Sequence, residues 1–272
     1  MFFQNINPVL FEIPALFGIG PLQIRYYGLF YAFGFFIAYL TLPYLARIKG
    51  IKITKDDVAD FLVYMIFGVV LGARMIYVVF YNPMYYTQNP LEIIGLWHGG
   101  LSFHGGLLGA LIAGYLFCKK KKIEFYDMAD IAVVPVALAL ALGRIGNFIN
   151  AELYGRITDA PWCVDYSKNK FVQNLPSGCR HPSQVYESLK NLFIFAALWM
   201  IKDKKLPKGF MFWTFVTLYG LLRTFMEFFR QPDEQVGFIF KYFTMGQMLS
   251  FPLFLIGAYM LFRLKRKSDV KF

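Results

Sequence analysis

The chain has 272 residues, of which 57% are hydrophobic and 19% aromatic, and its formal net charge is +11. A water-soluble domain seldom has so little polar surface, so the composition favours an integral membrane protein. The positive charge is concentrated after alternate apolar runs, which is typical of cytoplasmic membrane loops and argues against nucleic-acid binding.

Several apolar runs approach the ~20 residues that a helix needs to cross a bilayer. They cover residues 23–46, 58–81, 101–118, 128–147, 184–201, 209–229 and 245–262. No linker, low-complexity tract or internal repeat separates them. The sequence therefore predicts an all-α integral membrane protein with about seven transmembrane helices in a single domain, 1–272.

The basic loops set the predicted orientation. Lysines 119–122 follow the third run and similar clusters follow the first, fifth and seventh, whereas residues 81–97 contain no lysine or arginine. The positive-inside rule then places the N-terminus outside and the C-terminus in the cytoplasm. We predict that the long outer loop, residues 153–182, forms a small extracytoplasmic head. Cys163 and Cys179 lie in it, where a disulfide is permitted but not determined by the sequence.

By this orientation, polar residues gather at the outer ends of the predicted helices. They occupy four stretches, residues 98–106, 143–155, 181–187 and 223–233. Polar groups at membrane depth are costly and usually mark a site for a polar ligand. Their common depth predicts one site that faces the outer leaflet.

Arg223, Glu227 and Arg230 are spaced at i, i+4 and i+7, which places them on one helix face. One interpretation is a structural ion pair between Arg223 and Glu227. The second arginine adds positive charge and favours another interpretation, in which this face binds an anion such as a lipid phosphate.

Arg144 and Asn147 are one helical turn apart, and Glu152 lies just beyond the predicted helix end. A capped helix C-terminus would account for the arginine and the amide. The functional interpretation makes Arg144 a second phosphate contact, while Glu152 orients an arginine or holds a substrate hydroxyl.

His104 is followed by Gly105 and Gly106, which we expect to clear space around its ring. It is either a hydrogen-bonded structural residue or a general base, since imidazole titrates near neutral pH. His98 lies nearer the interface and is the weaker candidate.

The remaining polar residues receive mostly structural interpretations. Glu187 is expected to be a buried hydrogen-bonding partner, His181 a cap of the fifth helix, and Lys190 a side chain that extends to the surface. Arg74 is expected to pair with a carboxylate or a helix carbonyl. Tyr27 either contacts a phosphate or anchors its helix at the membrane interface.

Several common chemistries have no support in the sequence. There is no glycine-rich phosphate loop, no serine elbow and no cysteine–histidine spacing of a metal site. We therefore expect an activity that uses neither a metal nor a cofactor.

The polar stretches together resemble the bacterial prolipoprotein diacylglyceryl transferase family, along essentially the whole chain. The family signature Gly-Arg-x-Gly-Asn-Phe-x-Asn-x-Glu-x-x-Gly is present without a gap, as GRIGNFINAELYG at 143–155. Family blocks are also similar to GGLSFHGG at 99–106, HPSQVYE at 181–187 and RTFMEFFRQPD at 223–233. The four blocks occur in the family's order.

The resemblance implies a bacterial inner-membrane enzyme with its active site toward the outer leaflet. Such an enzyme transfers the diacylglyceryl group of phosphatidylglycerol to the lipobox cysteine of a preprolipoprotein signal peptide, the first step of lipoprotein maturation. A thioether forms and glycerol phosphate is released. By motif position, Arg144 and Arg223 would be the essential arginines and His104 the proposed base. Supporting residues would be Tyr27, Asn147, Glu152, Gly155 and Glu227, and with Glu187 and Arg230 these complete the predicted substrate-binding set.

Two other classes of function stay open. A non-enzymatic phospholipid transporter or scramblase would also need arginines and an amphipathic cavity. It predicts polar residues through to the cytoplasmic leaflet, where these runs are apolar. A structural scaffold leaves Arg144, Arg223 and Glu227 without a purpose beyond pairing.

Overall fold

A computed structural model describes residues 2–14, 21–96, 99–232, 238–239 and 243–267. His98 and Asp233, both within the polar stretches found in the sequence, lie outside the described residues. The chain divides into two compact units. The first comprises Met1–Ala38 and Asp130–Phe272, and the second comprises Tyr39–Ala129.

Helices dominate the described residues. They are α1 (Tyr26–Lys49), α2 (Lys55–Phe80), α3 (Pro83–Gln88), α4 (Phe103–Lys121), α5 (Phe125–Ile149), α6 (Ser183–Ile201), α7 (Phe210–Met226) and α8 (Met245–Lys267). A 3₁₀ turn, Pro90–Ile94, follows α3. Each predicted apolar run coincides with one long helix, so the helical interpretation of these runs is confirmed, with ends shifted by a few residues.

Within the described chain, four helices are long and apolar enough to cross a membrane, namely α1, α2, α5 and α8. Helix α7 is apolar but has only 17 residues. Large apolar side chains such as Phe36, Phe67 and Leu71 are exposed on α1 and α2, which suits contact with lipid. The protein is thus a mostly helical membrane protein, while the count of seven spans stays a prediction.

Short strands add to the expected all-helical architecture. Among the described residues they are β1 (Phe2–Phe3), β2 (Val9–Ile13), β3 (Leu22–Arg25), β4 (Val164–Asp165), β5 (Cys179–Arg180), β6 (Phe238–Ile239) and β7 (Phe243–Thr244). β4 pairs parallel with β1 and antiparallel with β5, and β2–β3 and β6–β7 are antiparallel pairs. Strands this short leave no periodic signal in a sequence.

Two long helices begin at well-formed caps. Thr54 and Asp57 form a reciprocal capping box at the start of α2. At the start of α7, the Asp130 carboxylate accepts hydrogen bonds from the backbone N–H groups of Gly209 and Phe212, both at 2.8 Å. These side chains satisfy backbone donors that the helix itself leaves unpaired.

In the second unit, α2 and α4 pack along a line of glycines. A Cβ atom on Gly72 would meet the backbone of Gly105 and Gly109, and one on Gly109 would meet the Gly68 carbonyl. Close approach of helix backbones at small residues is typical of membrane helices. Gly105 therefore serves this helix contact, while the expectation that it clears space around the His104 ring stays a prediction.

Arg74 is a buried structural residue of the second unit. Its guanidinium donates hydrogen bonds of 2.5–3.1 Å to the backbone carbonyls of Glu92, Ile93, Gly95, Gly99 and Gly100. The expected pairing with carbonyl groups is confirmed, and it ties the segment before α4 to α2.

In the first unit, α6 packs against α7, and α7 packs against α8. Ser188 of α6 donates a hydrogen bond to the Ala141 carbonyl of α5 at 3.0 Å. A Cβ on Gly220 of α7 would lie 2.5 Å from the Phe254 nitrogen of α8. These close contacts place side chains of neighbouring helices near enough to interact.

The segment between α5 and α6 has its own small core. Tyr166 is fully buried and donates a hydrogen bond to Gln184 Oε1 at 3.1 Å. Cys163 and Cys179, whose pairing the sequence left open, are joined by a disulfide. Gln4 donates to two backbone carbonyls at the end of α5, both at 3.0 Å, so the N-terminal strand is fastened to this region.

Candidate active site

Glu187 of α6 is the centre of a buried ion network. Arg223 of α7 donates a hydrogen bond from Nη1 to Glu187 Oε1 at 2.6 Å, and Lys190 Nζ lies 2.8 Å from Oε2. Arg144 of α5 places its Nε atom 3.8 Å from the same Oε2. The carboxylate is only 3% exposed, so helices α5, α6 and α7 direct cations to one buried anion.

Glu227, the C-cap residue of α7, is the second carboxylate of the network. It is buried, forms an ion pair with Arg223 Nη2, and accepts a hydrogen bond from Thr244 Oγ1 at 2.7 Å. Arg230 Nη1 lies 3.5 Å from Glu227 Oε1. Because α7 ends at Met226, Arg230 reaches Glu227 from the turn that follows. The predicted placement of Arg230 on the same helix face is therefore wrong.

Among the described ion pairs of this network, cations outnumber carboxylates even when Arg230 is left out. Glu187 and Glu227 are shared by Arg144, Lys190, Arg223 and Arg230. Arg144 has the most exposed side chain of these cations, at 20%. A buried surplus of positive charge calls for an anion, and a guanidinium binds phosphate oxygens in a fixed fork geometry.

Arg144 also begins a hydrogen-bonded chain at the end of α5. Its Nη1 atom lies 3.5 Å from Asn147 Oδ1, and Asn147 donates to Glu152 Oε1 at 2.8 Å. Asn150 donates to the same oxygen at 3.1 Å. Ala151 has a positive φ of 54°, which turns the chain so that Glu152 returns beside the helix. The Glu152 carboxylate is thereby held in one orientation.

Tyr27, near the start of α1, lies beside this helix end. Its hydroxyl donates a hydrogen bond to the Tyr31 hydroxyl at 3.1 Å and has the Asn147 side chain as a hydrogen-bonding neighbour. A Cβ on Gly146 would lie 2.8 Å from the Tyr27 ring. The second glycine of the signature therefore lets α1 approach α5 at the site.

Gly155 fastens the chain after α5 to two other segments. Its N–H donates to the His181 carbonyl at 2.9 Å, and the next N–H, of Arg156, donates to the Phe229 carbonyl at 2.9 Å. A Cβ on Gly155 would lie 2.5 Å from the first carbonyl oxygen and 2.6 Å from the second. Only glycine fits there, which gives Gly155 a structural role that the sequence did not reveal.

His181 belongs to a polar cluster at the start of α6. Its Nδ1 atom lies 3.1 Å from the Tyr186 hydroxyl, which also accepts a hydrogen bond from Trp162 Nε1 at 2.7 Å. Burial lowers the pKa of the His181 imidazole below its usual value, which favours the neutral ring. The N-cap of α6 is Pro182, with no side-chain cap hydrogen bond, so the expectation that His181 caps this helix is wrong.

An apolar cavity of about 590 Å³ lies between α6 and α7. Its lining includes Leu189, Phe193, Leu222, Met226 and Phe229. The cavity adjoins the helices that carry Glu187 and Arg223 and is suited to an apolar chain.

His104 belongs to the second unit, where it is the second residue of α4. Its side chain is exposed, and its ring meets the Phe103 ring edge-on at 5.7 Å. Ser102 caps the helix by accepting a hydrogen bond from the Gly105 N–H at 3.4 Å. The role of His104 as a base stays a prediction.

Several residues at the site escaped the sequence analysis. The expectation that Lys190 extends to the surface is wrong, because its side chain is 0% exposed and paired with Glu187, a pairing that the i, i+3 spacing could have indicated. Thr244 and Gly246 contact Glu227 from the start of α8, and a Cβ on Gly246 would lie 2.5 Å from Glu227 Oε1. These last contacts depend on the packing of α8 against α7, for which no local signal exists.

Residues 14–263 match the family described as prolipoprotein diacylglyceryl transferase. The chain belongs to this family. A relative from Geobacter sulfurreducens, named phosphatidylglycerol–prolipoprotein diacylglyceryl transferase, is 44% identical over 98% of this chain and 99% of its own length. Relatives of the same name from Rickettsia rickettsii and Desulfotalea psychrophila are each 43% identical, over 96% and 90% of this chain and 98% and 90% of their own.

Proposed function

We propose that this protein transfers the diacylglyceryl group of phosphatidylglycerol to the lipobox cysteine of a preprolipoprotein. The observation that carries the proposal is the buried network around Glu187, in which cations outnumber carboxylates and Arg144 stays partly exposed. Such a site fits the phosphate of an anionic lipid. The family to which the chain belongs, and the names of its relatives, support these two substrates.

The reaction replaces a carbon–oxygen bond by a carbon–sulfur bond. The cysteine thiolate attacks the glyceryl carbon that carries the phosphate ester, a thioether forms, and glycerol phosphate leaves with the electron pair of the broken bond. Arg144 and Arg223 bind the phosphate and stabilise its developing charge. A well-aimed donor of this kind typically contributes a factor of about 10² to 10³ in rate.

The remaining cluster residues orient these arginines and the lipid head. Glu187 and Glu227 fix the two ends of the Arg223 fork, and Arg230 balances the second carboxylate. Glu152, held by Asn147 and Asn150, accepts a hydrogen bond from a glycerol hydroxyl. Tyr27 adds a hydroxyl beside Asn147, and Gly155 holds the surrounding backbone together.

A base must accept the thiol proton, because the thiolate is the nucleophile and a free thiol is mostly protonated at neutral pH. His104 is the proposed acceptor, since neutral imidazole is suited to this task near pH 7. A phosphate oxygen of the lipid is the alternative acceptor.

The lipid tails need an apolar path beside the phosphate site. The cavity between α6 and α7 offers one, with leucine, methionine and phenylalanine side chains along its wall. Phosphatidylglycerol then enters from the bilayer, and the peptide approaches from the opposite, aqueous side.

In this proposal seven helices, α1, α2 and α4 to α8, cross the inner membrane of a bacterium. The N-terminus lies outside, the C-terminus lies in the cytoplasm, and the site faces the outer leaflet. Lysines in the last turn of α4 and basic residues in the last turn of α1 support this orientation. Residues 153–182, stapled by their disulfide, form an extracytoplasmic head.

The test combines the purified protein, vesicles that contain phosphatidylglycerol, and a peptide with a lipobox cysteine. Mass analysis should show a diacylglyceryl increment on the peptide, and none on a matched peptide with serine in place of cysteine. Vesicles of phosphatidylcholine alone should give no product. An unmodified cysteine peptide with the anionic vesicles would contradict the proposal and favour a scramblase or a scaffold.

A further inference from the structure

Lys190 is a buried cation that the proposed mechanism does not use. Its side chain is 0% exposed, and its ammonium lies 4.1 Å from the centre of the Tyr219 ring. The ammonium pairs with Glu187 Oε2 at 2.8 Å. Lys190 also lines the cavity between α6 and α7, but its ammonium is buried against Glu187, so its charge acts on the reaction through Glu187.

Glu187 divides its two oxygen atoms between different cations. Oε1 receives Arg223 at 2.6 Å, and Oε2 receives Lys190 at 2.8 Å. Arg144 is the next cation, with its Nε atom 3.8 Å from Oε2. The oxygen nearest to Arg144 is thus already occupied by a closer positive charge.

This division decides how strongly Glu187 attracts Arg144. Opposite charges in a buried site attract strongly because little water screens them, and like charges repel for the same reason. Lys190 neutralises Oε2 and repels Arg144 at the same time. Without it, the Arg144 guanidinium would move onto Oε2 and close a full ion pair with Glu187.

We propose that Lys190 is a positioning residue that keeps the Arg144 guanidinium available for the phosphate of the lipid. The inference rests on the proposed function, in which Arg144 binds that phosphate. Lys190 pairs with Glu187 Oε2, and the Arg144 Nε atom stays 3.8 Å from that oxygen with a partly exposed side chain. An incoming phosphate therefore meets an arginine that has no close ion pair with Glu187.

Kinetics of Lys190→Met with phosphatidylglycerol vesicles and a lipobox peptide test this role. Methionine keeps most of the side-chain length and removes the charge. The KM for phosphatidylglycerol should rise about tenfold or more, as expected for a lost charged contact, while the KM for the peptide stays unchanged. Lys168→Met is the matched control, because Lys168 is exposed and lies over the Phe3 ring, and its lipid KM should not change.

A second variant separates positioning from structural support. In Glu187→Gln with Lys190→Met, the neutral amide no longer attracts Arg144, and Arg223 keeps Glu227 as its ionic partner. Glu187→Gln alone is the reference, because it already loosens Arg223, and adding Lys190→Met should raise the lipid KM no further. A purely structural lysine predicts that its loss raises the lipid KM in both backgrounds, with or without the Glu187 carboxylate.

Thermal unfolding in detergent checks that each variant is folded. If Lys190→Met alone does not fold, the double variant decides, since it buries no unpaired charge at this position. An unchanged lipid KM in Lys190→Met, or a lipid KM in the folded double variant well above that of Glu187→Gln alone, would overturn the inference. Failure of the wild-type protein to modify the peptide would instead contradict the proposed function.

Discussion

Arg223 and Glu187, on neighbouring helices α7 and α6, form an ion pair of 2.6 Å in which both side chains are more than nine-tenths buried. The same guanidinium also pairs with Glu227 through its other terminal nitrogen. Arg223 therefore connects the two carboxylates of the network and holds a fixed orientation. Arg144, at 3.8 Å from Glu187, is the looser cation beside it.

Arg144→Ala should abolish transfer while the protein still inserts and folds. The variant removes the more exposed guanidinium and leaves the Arg223 pairs with Glu187 and Glu227 intact. Peptide modification should fall by at least about 10², the usual effect of losing a donor to a developing anion. Arg47→Ala, at an exposed position near the end of α1, is the control and should keep full activity. Full transfer by Arg144→Ala would refute the phosphate-binding role.

Arg223→Lys should also lose activity, although the positive charge is kept. Lysine presents a compact ammonium in place of the planar fork, so it cannot reach Glu187 and Glu227 with the same geometry. We expect kcat/KM to fall by about 10² and thermal stability to drop, because one of the two buried carboxylates loses its ion pair with Arg223. Arg266→Lys, exposed near the end of α8, provides the conservative control. A lysine variant as active as the wild type would show that charge alone suffices.

Gly246→Ala tests the support that α8 gives to Glu227. The added Cβ would lie 2.5 Å from Glu227 Oε1 and displace the carboxylate from Arg223 and Thr244. We expect a loss of about 1–3 kcal/mol in stability, typical of overpacking, and a larger loss of activity. Gly28→Ala is the matched control, since a Cβ at Gly28 has no heavy atom within 4 Å. Equal behaviour of the two variants would argue against a role for Gly246 in positioning Glu227.

His104→Gln distinguishes the two proton acceptors. If His104 is the base, the rate should fall by about 10² to 10⁴, as is usual for loss of a general base. A near-normal rate at every pH would assign the proton to a phosphate oxygen and remove His104 from the mechanism.

The long helices were predictable from the sequence because they follow from local patterns. Apolar runs located the long helices, and the spacing of Arg144 and Asn147, or of Arg223 and Glu227, already indicated side chains that meet one turn apart. The helix end at Met226 was not visible, since the apolar run continues past it.

Contacts between distant segments were not predictable in the same way. The burial of Lys190 depends on how α6 meets α7, and the contact of Thr244 with Glu227 depends on how α8 meets α7. Gly155 is needed because two carbonyls from other segments approach it. A single sequence carries no local signal for such packing, so these roles emerge only from the fold.

The most direct test of the account counts both products in one reaction. Glycerol phosphate and the peptide thioether should appear in equal amounts with phosphatidylglycerol, and neither should form without the peptide. Equal amounts follow because the phosphate held by Arg144 and Arg223 leaves only when sulfur takes its place on the glyceryl carbon. Release of glycerol phosphate without peptide, or a thioether without that release, would contradict the mechanism.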